Sequence, residues 1–418
     1  MFDQLFFRPD VLTRHLSAPL IDERRQYLTH CAAQGMSRST LCVKARLLLS
    51  IAKYLSLRRR PEETISLPEI KRAASRWANH NGLSGKTRYA KESRQYFVRE
   101  ASRLLTSLNR FQIVPKPVTP YDKQLAEFRT FMQEERGLSP ITVEYRCRIA
   151  RLFLDHLLEQ KRSFKTITAS DIDSLLAEKL NRDHYARVSI RAYASSLRSF
   201  LRFAEMRGWC PVGIASSIMA PRVFQHETLP SAPTWDIVQE ILDATSGDRP
   251  TEIRDHAIWT LLAVYGIRSG EVARLRLSDI NWQEETITFT RSKGGGRHLF
   301  PLSRSVGAAI IRYLKEVRPK SAHPQVFLTT RAPICPLSNF LMWLIVSQRL
   351  RKRAPSLRHH GPHSIRHACA THLINRGLSL KEIGDHLGQR DPEATRIYAK
   401  VDLVRLRDVA AFDLGGLL

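Results

Sequence analysis

The chain has 418 residues, of which 66 are lysine or arginine and 40 are aspartate or glutamate, so its formal net charge is +26. Its length allows two to four domains, since a domain commonly has about 100–200 residues. A charge that serves solubility alone is usually about 2–8 for a small domain, so the much larger charge of this chain disfavours that explanation. It favours a polyanionic partner such as nucleic acid, because each neutralised phosphate releases condensed counterions.

Cysteine usage and hydropathy indicate where in the cell the protein is expected to act. The six cysteines are scattered, with no CxxC pair and no zinc-ligand spacing, which is typical of reduced thiols in a cytosolic protein. The N-terminal segment MFDQLFFRPDVLTRHL has no continuous apolar core, so it is not expected to be a signal peptide. No stretch approaches about 18 uninterrupted apolar residues, so no membrane partner is expected. We therefore expect a cytoplasmic, nucleoid-associated protein.

Two proline-rich stretches divide the chain. One covers residues 115–120 and the other residues 221–233, and both are typical of linkers. They predict three segments, which are residues 1–114, 121–220 and 234–418.

The first two segments share a sequence pattern. GMSRST at residues 35–40 aligns with GLSPIT at residues 137–142, an offset of 102 residues. The register then holds over a long distance without a gap, which favours a duplicated helical module over chance. The ungapped matches are Arg46 with Arg148, Leu55 with Leu157, Ile65 with Ile167 and Ile70 with Ile172.

The second segment is predicted to contain basic amphipathic helices. The first begins after a Ser/Thr N-cap near residue 140, a second follows Ser170-Asp171, and a third covers about residues 186–207. Their arginines have few acidic partners four residues away, so phosphate contact is the favoured interpretation. The predicted core positions are Val143, Ile149, Phe153, Leu157, Tyr193, Leu197, Phe200, Leu201 and Ala204, and the predicted outward arginines are Arg146, Arg148, Arg151, Arg187, Arg191, Arg198 and Arg202.

The third segment is predicted to be mixed. Helical periodicity covers residues 234–245 and 254–265, and helices return from about residue 304. Between them, the alternating run 285–290 and the run 297–302 predict a β-hairpin with a glycine-rich tip. The fold class is therefore expected to be mainly α with a small β-sheet, in a multi-domain chain.

Two cationic side chains of this segment are candidates for a functional site. Arg268 lies in GIRSGE, where one helix should end at glycine and another begin, and Glu271 is available to orient it. Lys293 lies at the tip of the predicted hairpin, in SKGGGR.

Three further candidates follow nearer the C-terminus. His363 and Arg366 share one face of a helix that begins at Gly-Pro, and the free N–H groups at a helix start attract an anion. Tyr398 is expected on a short helix that Asp391 caps. Together with the two cations, these residues supply what is needed to break a phosphodiester and hold the product covalently.

The repeated histidines of this region could also indicate zinc. His363, His367 and His372 recur at helical spacing, but the glutamate of an HExxH motif is missing and no nearby carboxylate or cysteine completes a site. We therefore expect His367 and His372 to be packed, hydrogen-bonded helix histidines. No metal and no cofactor are expected.

These motifs resemble those of the tyrosine recombinase (phage integrase) family, of the mobile-element type. The resemblance covers about residues 121–418, with order and spacing intact. It implies that residues 121–220 form a core-binding, SAM-like DNA-binding domain and that residues 234–418 form a catalytic domain ending in a tail helix. Residues 1–114 are then an additional DNA-binding or partner-contact domain. The matching motifs are GIRSGE around Arg268, SKGGGR around Lys293, PHSIRHACATHL around His363 and Arg366, and ATRIYAKV around Tyr398.

The resemblance implies a site-specific DNA recombinase that cleaves and rejoins strands through a 3′-phosphotyrosyl intermediate. Arg268 and Arg366 would hold the non-bridging oxygens, Lys293 would protonate the 5′-oxygen, His363 would assist proton transfer, and Tyr398 would attack phosphorus. The implied partners are double-stranded DNA and three further protomers in a homo-tetramer, or related recombinases in a hetero-assembly. Two alternatives are a type IB topoisomerase-like enzyme and a weakly catalytic DNA-binding accessory protein.

One position departs from the family pattern. Gln389 stands where the family usually has a histidine, although some members use tryptophan, so a hydrogen-bond donor suffices there. Glutamine can donate, and we expect Gln389 to fill this catalytic role. His386, three residues earlier, is the alternative.

Overall fold

The computed structural model describes residues 1–60, 62–80, 88–112, 119–181, 184–222, 231–291 and 296–388. The chain forms two compact units, one of Pro115–Glu227 and the other of Met1–Val114 with Thr228–Leu418. The described residues are mostly helical with short strands, so the expected fold class is confirmed. In this described part, no helix is both long and apolar enough to cross a membrane.

The N-terminal module, residues 1–112 as described, packs helices around an aliphatic core. Leu28, Leu48, Ile51, Phe97 and Leu104 are almost fully buried in that core. Two short strands, which the sequence pattern did not predict, pair in parallel beside it. In chain order the elements are α1 (Phe2–Leu5), α2 (Pro9–Leu16), α3 (Ile21–Ala33), α4 (Arg38–Tyr54), β1 (Ile65–Ser66), α5 (Leu67–His80), α6 (Arg88–Ser107) and β2 (Phe111–Gln112).

The unit Pro115–Glu227 is helical, and its core is rich in phenylalanine. Phe164 stacks on Phe200 with ring centroids 5.7 Å apart, and Phe128 meets Phe200 edge-on at 5.1 Å. All nine predicted core positions are buried, and the predicted outward arginines are exposed or half-buried. The elements are α7 (Asp122–Thr130), which continues as a π-helical turn (Phe131–Glu135), α8 (Pro140–Glu159), a 3₁₀ turn (Phe164–Thr166), α9 (Ala169–Asn181) and α10 (Arg187–Met206).

The structure repeats one helical arrangement in both modules, as the shared pattern predicts. Helices α3 to α6 and α7 to α10 follow each other with similar lengths and spacing. Ser37 caps α4 by accepting from the N–H of Thr40, and Ser139 caps α8 by accepting from the N–H of Thr142. Further equivalent features are the positive-φ residues Gly35 and Gly137, the buried pairs Ile65/Ile167 and Ile70/Ile172, and the N–H bonds from Ser66 to Glu69 and from Thr168 to Asp171.

The third segment combines helices with a three-stranded antiparallel sheet. The predicted hairpin is present, and its strands pair Ile287 with Phe300 and Phe289 with His298. The first strand is too short to show a period and was not predicted. The elements are α11 (Trp235–Ala244), α12 (Pro250–Tyr265), α13 (Ser269–Arg274), a 3₁₀ turn (Leu277–Asp279), β3 (Ile280–Asn281), β4 (Thr286–Thr290), β5 (Arg297–Pro301), α14 (Arg304–Glu316), α15 (Asn339–Arg353), α16 (Pro362–Asn375) and α17 (Leu380–Leu387).

Helix α12 runs through the core of this segment and ends where three helices meet. Trp259 near its middle is fully buried, and α12 ends at Gly266 with φ +56°. A Cβ on this glycine would lie 2.6 Å from Leu387 Cδ2 of α17 and 3.1 Å from Cys369 Sγ of α16. Only glycine allows both the left-handed backbone and this close approach. The junction of α12, α16 and α17 carries the site described next.

Candidate active site

Three of the six predicted site residues come together in the described structure. Arg268, His363 and Arg366 line one cavity of about 640 Å³. Lys293, Gln389 and Tyr398 lie outside the described residues, as does the expected tail helix, so their placement stays a prediction.

Arg268 is held at the start of α13 by a buried carboxylate. Its backbone N–H donates to Glu271 Oε2 at 3.0 Å, and its Nη1 donates to Glu271 Oε1 at 3.2 Å. The Glu271 side chain is completely buried, while that of Arg268 is 36% exposed. A buried carboxylate is costly unless it is paired, so Glu271 anchors one side of Arg268 while the rest of the guanidinium faces the cavity.

A second arginine, absent from the sequence-based prediction, shares this carboxylate. Arg291 Nη1 donates to Glu271 Oε2 at 3.1 Å, and the Arg291 side chain is only 6% exposed. Burial lowers the pKa of Arg291, and the Glu271 charge opposes that shift. The sequence did contain a signal for it. Strand side chains alternate between faces, so the buried Ile287 and Phe289 place residue 291 on the inward face.

Arg366 is a buried cation fixed by two backbone carbonyls. It lies on α16 and is 2% exposed. Its Nη1 donates to Gly266 O at 2.8 Å and its Nη2 donates to Leu387 O at 3.0 Å. These oxygens belong to the C-terminal ends of α12 and α17, where helices carry partial negative charge and favour a cation. Arg366 therefore ties together the three helices that meet at Gly266.

His363 lies on the first turn of α16, at the mouth of the cavity. Its side chain keeps contact with solvent, yet the surrounding protein lowers its pKa from the ordinary 6.5, first by desolvation and then through the charges of Arg366 and Arg268. The imidazole is therefore neutral at neutral pH and can accept a proton. An imidazolium would be repelled by the two arginines.

The neighbouring histidines pack against other rings. His367 meets His363 edge-on with ring centroids 4.7 Å apart, and burial lowers the pKa of His367 to about 4. His372 stacks on Trp235 at 4.0 Å. Within the described ranges, no group of three or more His, Cys, Asp or Glu side chains is arranged to hold a metal ion.

His386, the alternative to Gln389, faces the interior. Its ring meets Phe300 of β5 edge-on at 5.6 Å, and its buried Nε2 has no hydrogen-bond partner among the described residues. Burial lowers its pKa, a bond to the Val264 backbone opposes the shift, and the charges of Arg291 and Arg366 lower it further. The imidazole is therefore close to both arginines but is packed against the sheet.

The cavity has further cationic and aromatic walls that the sequence-based prediction missed. Arg351 lies over the Trp343 ring, 5.2 Å from its centroid, and both line the cavity with Arg358 and His359. The available signal was the basic run from residue 349 to 360, RLRKRAPSLRHH. These groups give the cavity a positive lining around Arg268 and Arg366, which suits a phosphate.

A cavity with two anchored arginines and a neutral histidine is suited to proteins that bind and cleave phosphodiesters, because the arginines can stabilise negative charge on the phosphate. Comparisons with known proteins specify the class. Residues 234–404 match the model of the Phage integrase family, and residues 125–208 match its N-terminal SAM-like domain. The chain therefore belongs to the phage integrase family, the tyrosine recombinases, as its motifs predicted. It is a site-specific DNA recombinase, an enzyme that cleaves and rejoins DNA, and the topoisomerase and accessory alternatives are not favoured.

Individual relatives cover most of the chain. It is 32% identical to a protein of Sinorhizobium fredii named integrase/recombinase y4rF, over 73% of each chain. It is 30% identical to the tyrosine recombinase XerD of Listeria monocytogenes, over 68% of this chain and 96% of the relative. The fold is similar to that of the XerH site-specific recombinase bound to difH substrate, with 15% identity, a TM-score of 0.52 and coverage of 88% of this chain and 95% of that one.

Protonation of His363 should slow DNA cleavage in acid. A group whose pKa is lowered in the folded protein stays neutral down to that pKa, so we expect full activity near neutral pH and a fall only at a pH below 6.5, the ordinary pKa of an imidazole. The measurement is the single-turnover rate of covalent adduct formation on nicked DNA as a function of pH. The acid limb should disappear in His363→Ala, whose rate is low throughout.

DNA affinity measured over the same pH range is the control, because acidification adds positive charge to the protein and so also changes its attraction to DNA. A wild-type protein whose cleavage rate stays constant over the whole acid range in which it remains folded would contradict a proton-accepting role for His363.

Proposed function

We propose that this recombinase integrates, excises or transposes a mobile element, using Arg268, Lys293, His363, Arg366, Gln389 and Tyr398 as its catalytic residues. The observation that carries the assignment is the cavity in which Arg268 and Arg366, each anchored by buried partners, lie together with His363. The integrase/recombinase name of the Sinorhizobium relative supports a mobile-element role.

The reaction follows from the chemistry of these groups. The phenolic oxygen of Tyr398 forms a bond to the scissile phosphorus while the bond from phosphorus to the 5′-oxygen breaks. His363 accepts the phenolic proton, and Lys293 gives a proton to the departing oxygen. Arg268 and Arg366 stabilise the charge that develops on the non-bridging oxygens, and removal of one such donor typically costs about 10²–10³ in rate. A 5′-hydroxyl from a partner strand then reverses the step without ATP.

Gln389 is proposed as a neutral hydrogen-bond donor to the same phosphate. The packing of His386 against Phe300 supports Gln389 over His386. Single-turnover cleavage by Gln389→Ala and His386→Ala separates the two. Normal cleavage by the first variant together with loss in the second would assign the role to His386.

The chain is proposed to consist of an additional domain (1–114), a linker (115–120), a core-binding DNA-binding domain (121–220), a second linker (221–233) and a catalytic domain (234–418). The limits of the two family matches support the last two domains. The helical repeat of the N-terminal module supports a DNA-binding origin for the first.

The N-terminal module is proposed to contact DNA through a surface different from that of its copy. Arg146 of α8 reaches Ser199 of α10 and stays half-exposed, whereas the equivalent Lys44 of α4 is buried in an ion pair with Glu100 of α6. Positive charge is instead concentrated beyond the end of α4. The exposed basic residues there, which we call the α4–α5 basic surface, are Arg14, Lys53, Arg58, Arg59, Lys71, Arg72 and Arg76.

On DNA we propose a homo-tetramer, or a hetero-assembly with related recombinases, located in the cytoplasm with the nucleoid. The solved lambda integrase that resembles this chain, with 18% identity and a TM-score of 0.51, was obtained as a dimer on a core site.

Residues 403–418 are proposed to dock on a neighbouring protomer. Both points are tested by sedimentation of two DNA complexes, one with the full-length protein and one with a chain that ends before Leu403. A tetramer that is unchanged after truncation would show that the tail is not needed for assembly.

Tyr398→Phe should abolish covalent attachment to DNA. Without the phenolic oxygen no phosphotyrosyl bond can form, whereas DNA binding should be unchanged because phenylalanine keeps the aromatic ring. The measurement uses a nicked substrate whose short downstream strand diffuses away after cleavage, so that the adduct accumulates and is seen on a denaturing gel. Arg268→Ala, which removes a partly exposed guanidinium, is expected to bind DNA and form adduct at a rate lower by about 10²–10³. A persistent adduct in Tyr398→Phe would show that another residue is the nucleophile.

Neutralising the α4–α5 basic surface should weaken DNA binding in a salt-dependent way. If Arg58 and Arg59 each contact a phosphate, the slope of log affinity against log salt should fall by about 1.8 in Arg58→Gln/Arg59→Gln, at roughly 0.9 per phosphate on duplex DNA. Arg46→Gln, on the exposed face equivalent to Arg148, is the matched control and should keep the slope. An unchanged slope in the double variant would instead favour contact with a companion recombinase.

A further inference from the structure

The guanidinium of Arg291 contacts three parts of the third segment (residues 234–418), which we call the catalytic segment from here on. Nη1 donates to Glu271 Oε2 at 3.1 Å, and Nη2 lies 3.1 Å from Nδ1 of His298 on β5. The Arg291 backbone N–H donates to Gly296 O at 2.8 Å, which closes the base of the hairpin. The guanidinium also lies directly against Gly388, where any Cβ would collide with it. The end of α17, the hairpin and the carboxylate that orients Arg268 therefore meet at Arg291.

Glu271 divides its two oxygens between two arginines of different exposure. Oε1 accepts from Arg268, whose side chain is 36% exposed toward the cavity, and Oε2 accepts from Arg291, which is 6% exposed. The Arg291 side chain is enclosed by Glu271, His298, Phe300 and Gly388. It is therefore not a group that contacts DNA.

The shared carboxylate has an electrostatic consequence for Arg268. A single carboxylate paired with a single guanidinium gives a neutral pair. A carboxylate shared by two guanidiniums gives a group of three with a net charge of +1. Glu271 is completely buried, so its attraction to Arg268 is screened little by water. Without Arg291, the full charge of Glu271 would act on Arg268 alone and hold it away from a phosphate.

We propose that Arg291 is a positioning residue for strand cleavage: it fixes Glu271 and offsets its charge, so that Arg268 presents its cation to the scissile phosphate. This inference rests on the proposed catalytic role of Arg268. It adds a residue that lies two positions before Lys293 in the sequence and ties the base of the lysine-bearing hairpin to the phosphate-binding arginine.

The test compares single-turnover adduct formation on two nicked substrates, one with an ordinary scissile phosphate and one with a methylphosphonate there. The methylphosphonate lacks the negative charge, so cleavage depends less on the cation of Arg268. We expect Arg291→Gln to cleave the phosphate about 10- to 100-fold more slowly, as for a mispositioned catalytic group, with unchanged DNA affinity. On the methylphosphonate the loss should be clearly smaller, and Arg268→Ala should follow the same pattern.

Two further variants separate positioning from simple destabilisation. Arg291→Lys keeps a cation beside Glu271 but cannot also reach His298, so its rate on phosphate should lie between those of wild type and Arg291→Gln. Arg254→Gln removes another buried guanidinium, which pairs with Asp255 in α12 outside the site. It should lower the thermal midpoint of unfolding without changing the rate ratio between the two substrates.

The outcomes are distinct. Equal losses on phosphate and methylphosphonate in the Arg291 variants would show a structural role and overturn the proposal, as would an unchanged rate on phosphate. If Arg291→Gln does not fold, the substrate ratio of Arg291→Lys decides by the same criterion. A normal cleavage rate in Arg268→Ala would overturn the proposed site itself, before the role of Arg291 is considered.

Discussion

The packing of helices in the catalytic segment depends on two hydrogen bonds that one buried guanidinium donates to backbone carbonyls. Arg366 donates to Gly266 O at the end of α12 and to Leu387 O at the end of α17. Burying a cation is costly unless hydrogen bonds replace its hydration, and the ends of helices supply unpaired carbonyls with partial negative charge. The carbonyls at the helix ends accept the hydrogen bonds that the buried guanidinium needs, and the guanidinium neutralises their partial negative charge. These bonds hold the ends of α12 and α17 against α16, the helix that carries Arg366. The same convergence brings Arg268, two residues after Gly266, and His363, on the helix of Arg366, to one cavity.

A second buried charge gives the site its electrostatic balance. Glu271 is fully buried and is paired by Arg268 on one oxygen and by Arg291 on the other. The structure thus keeps a net positive charge beside a neutral histidine, which is the combination needed to hold a phosphate while a proton is removed nearby. On this view the protein uses its net charge of +26 in two ways. Exposed arginines attract DNA over a distance, and buried ones organise the few that act on a single phosphate.

The two related modules show how the same helical arrangement can carry different surfaces. Both keep the serine cap, the positive-φ glycine before it and the second capping pair, because these determine where helices start and turn. Their equivalent basic positions differ. Arg146 bonds to a serine, while Lys44 is buried against Glu100. The two modules therefore share their local backbone signals and differ in their charged faces.

The sequence by itself determined the family, the mainly α fold and the core faces of α8 and α10, because caps, periodicity and spaced motifs are local and repeat along the chain. It also indicated that Glu271 could orient Arg268. Only the tertiary structure decided that Arg291 shares this carboxylate and that Arg366 is fixed by carbonyls 100 and 21 residues away along the chain. Backbone carbonyls look the same in every residue, and a buried ion pair joins strands and helices that no local pattern relates. Pairings of this kind exist only once the elements have packed.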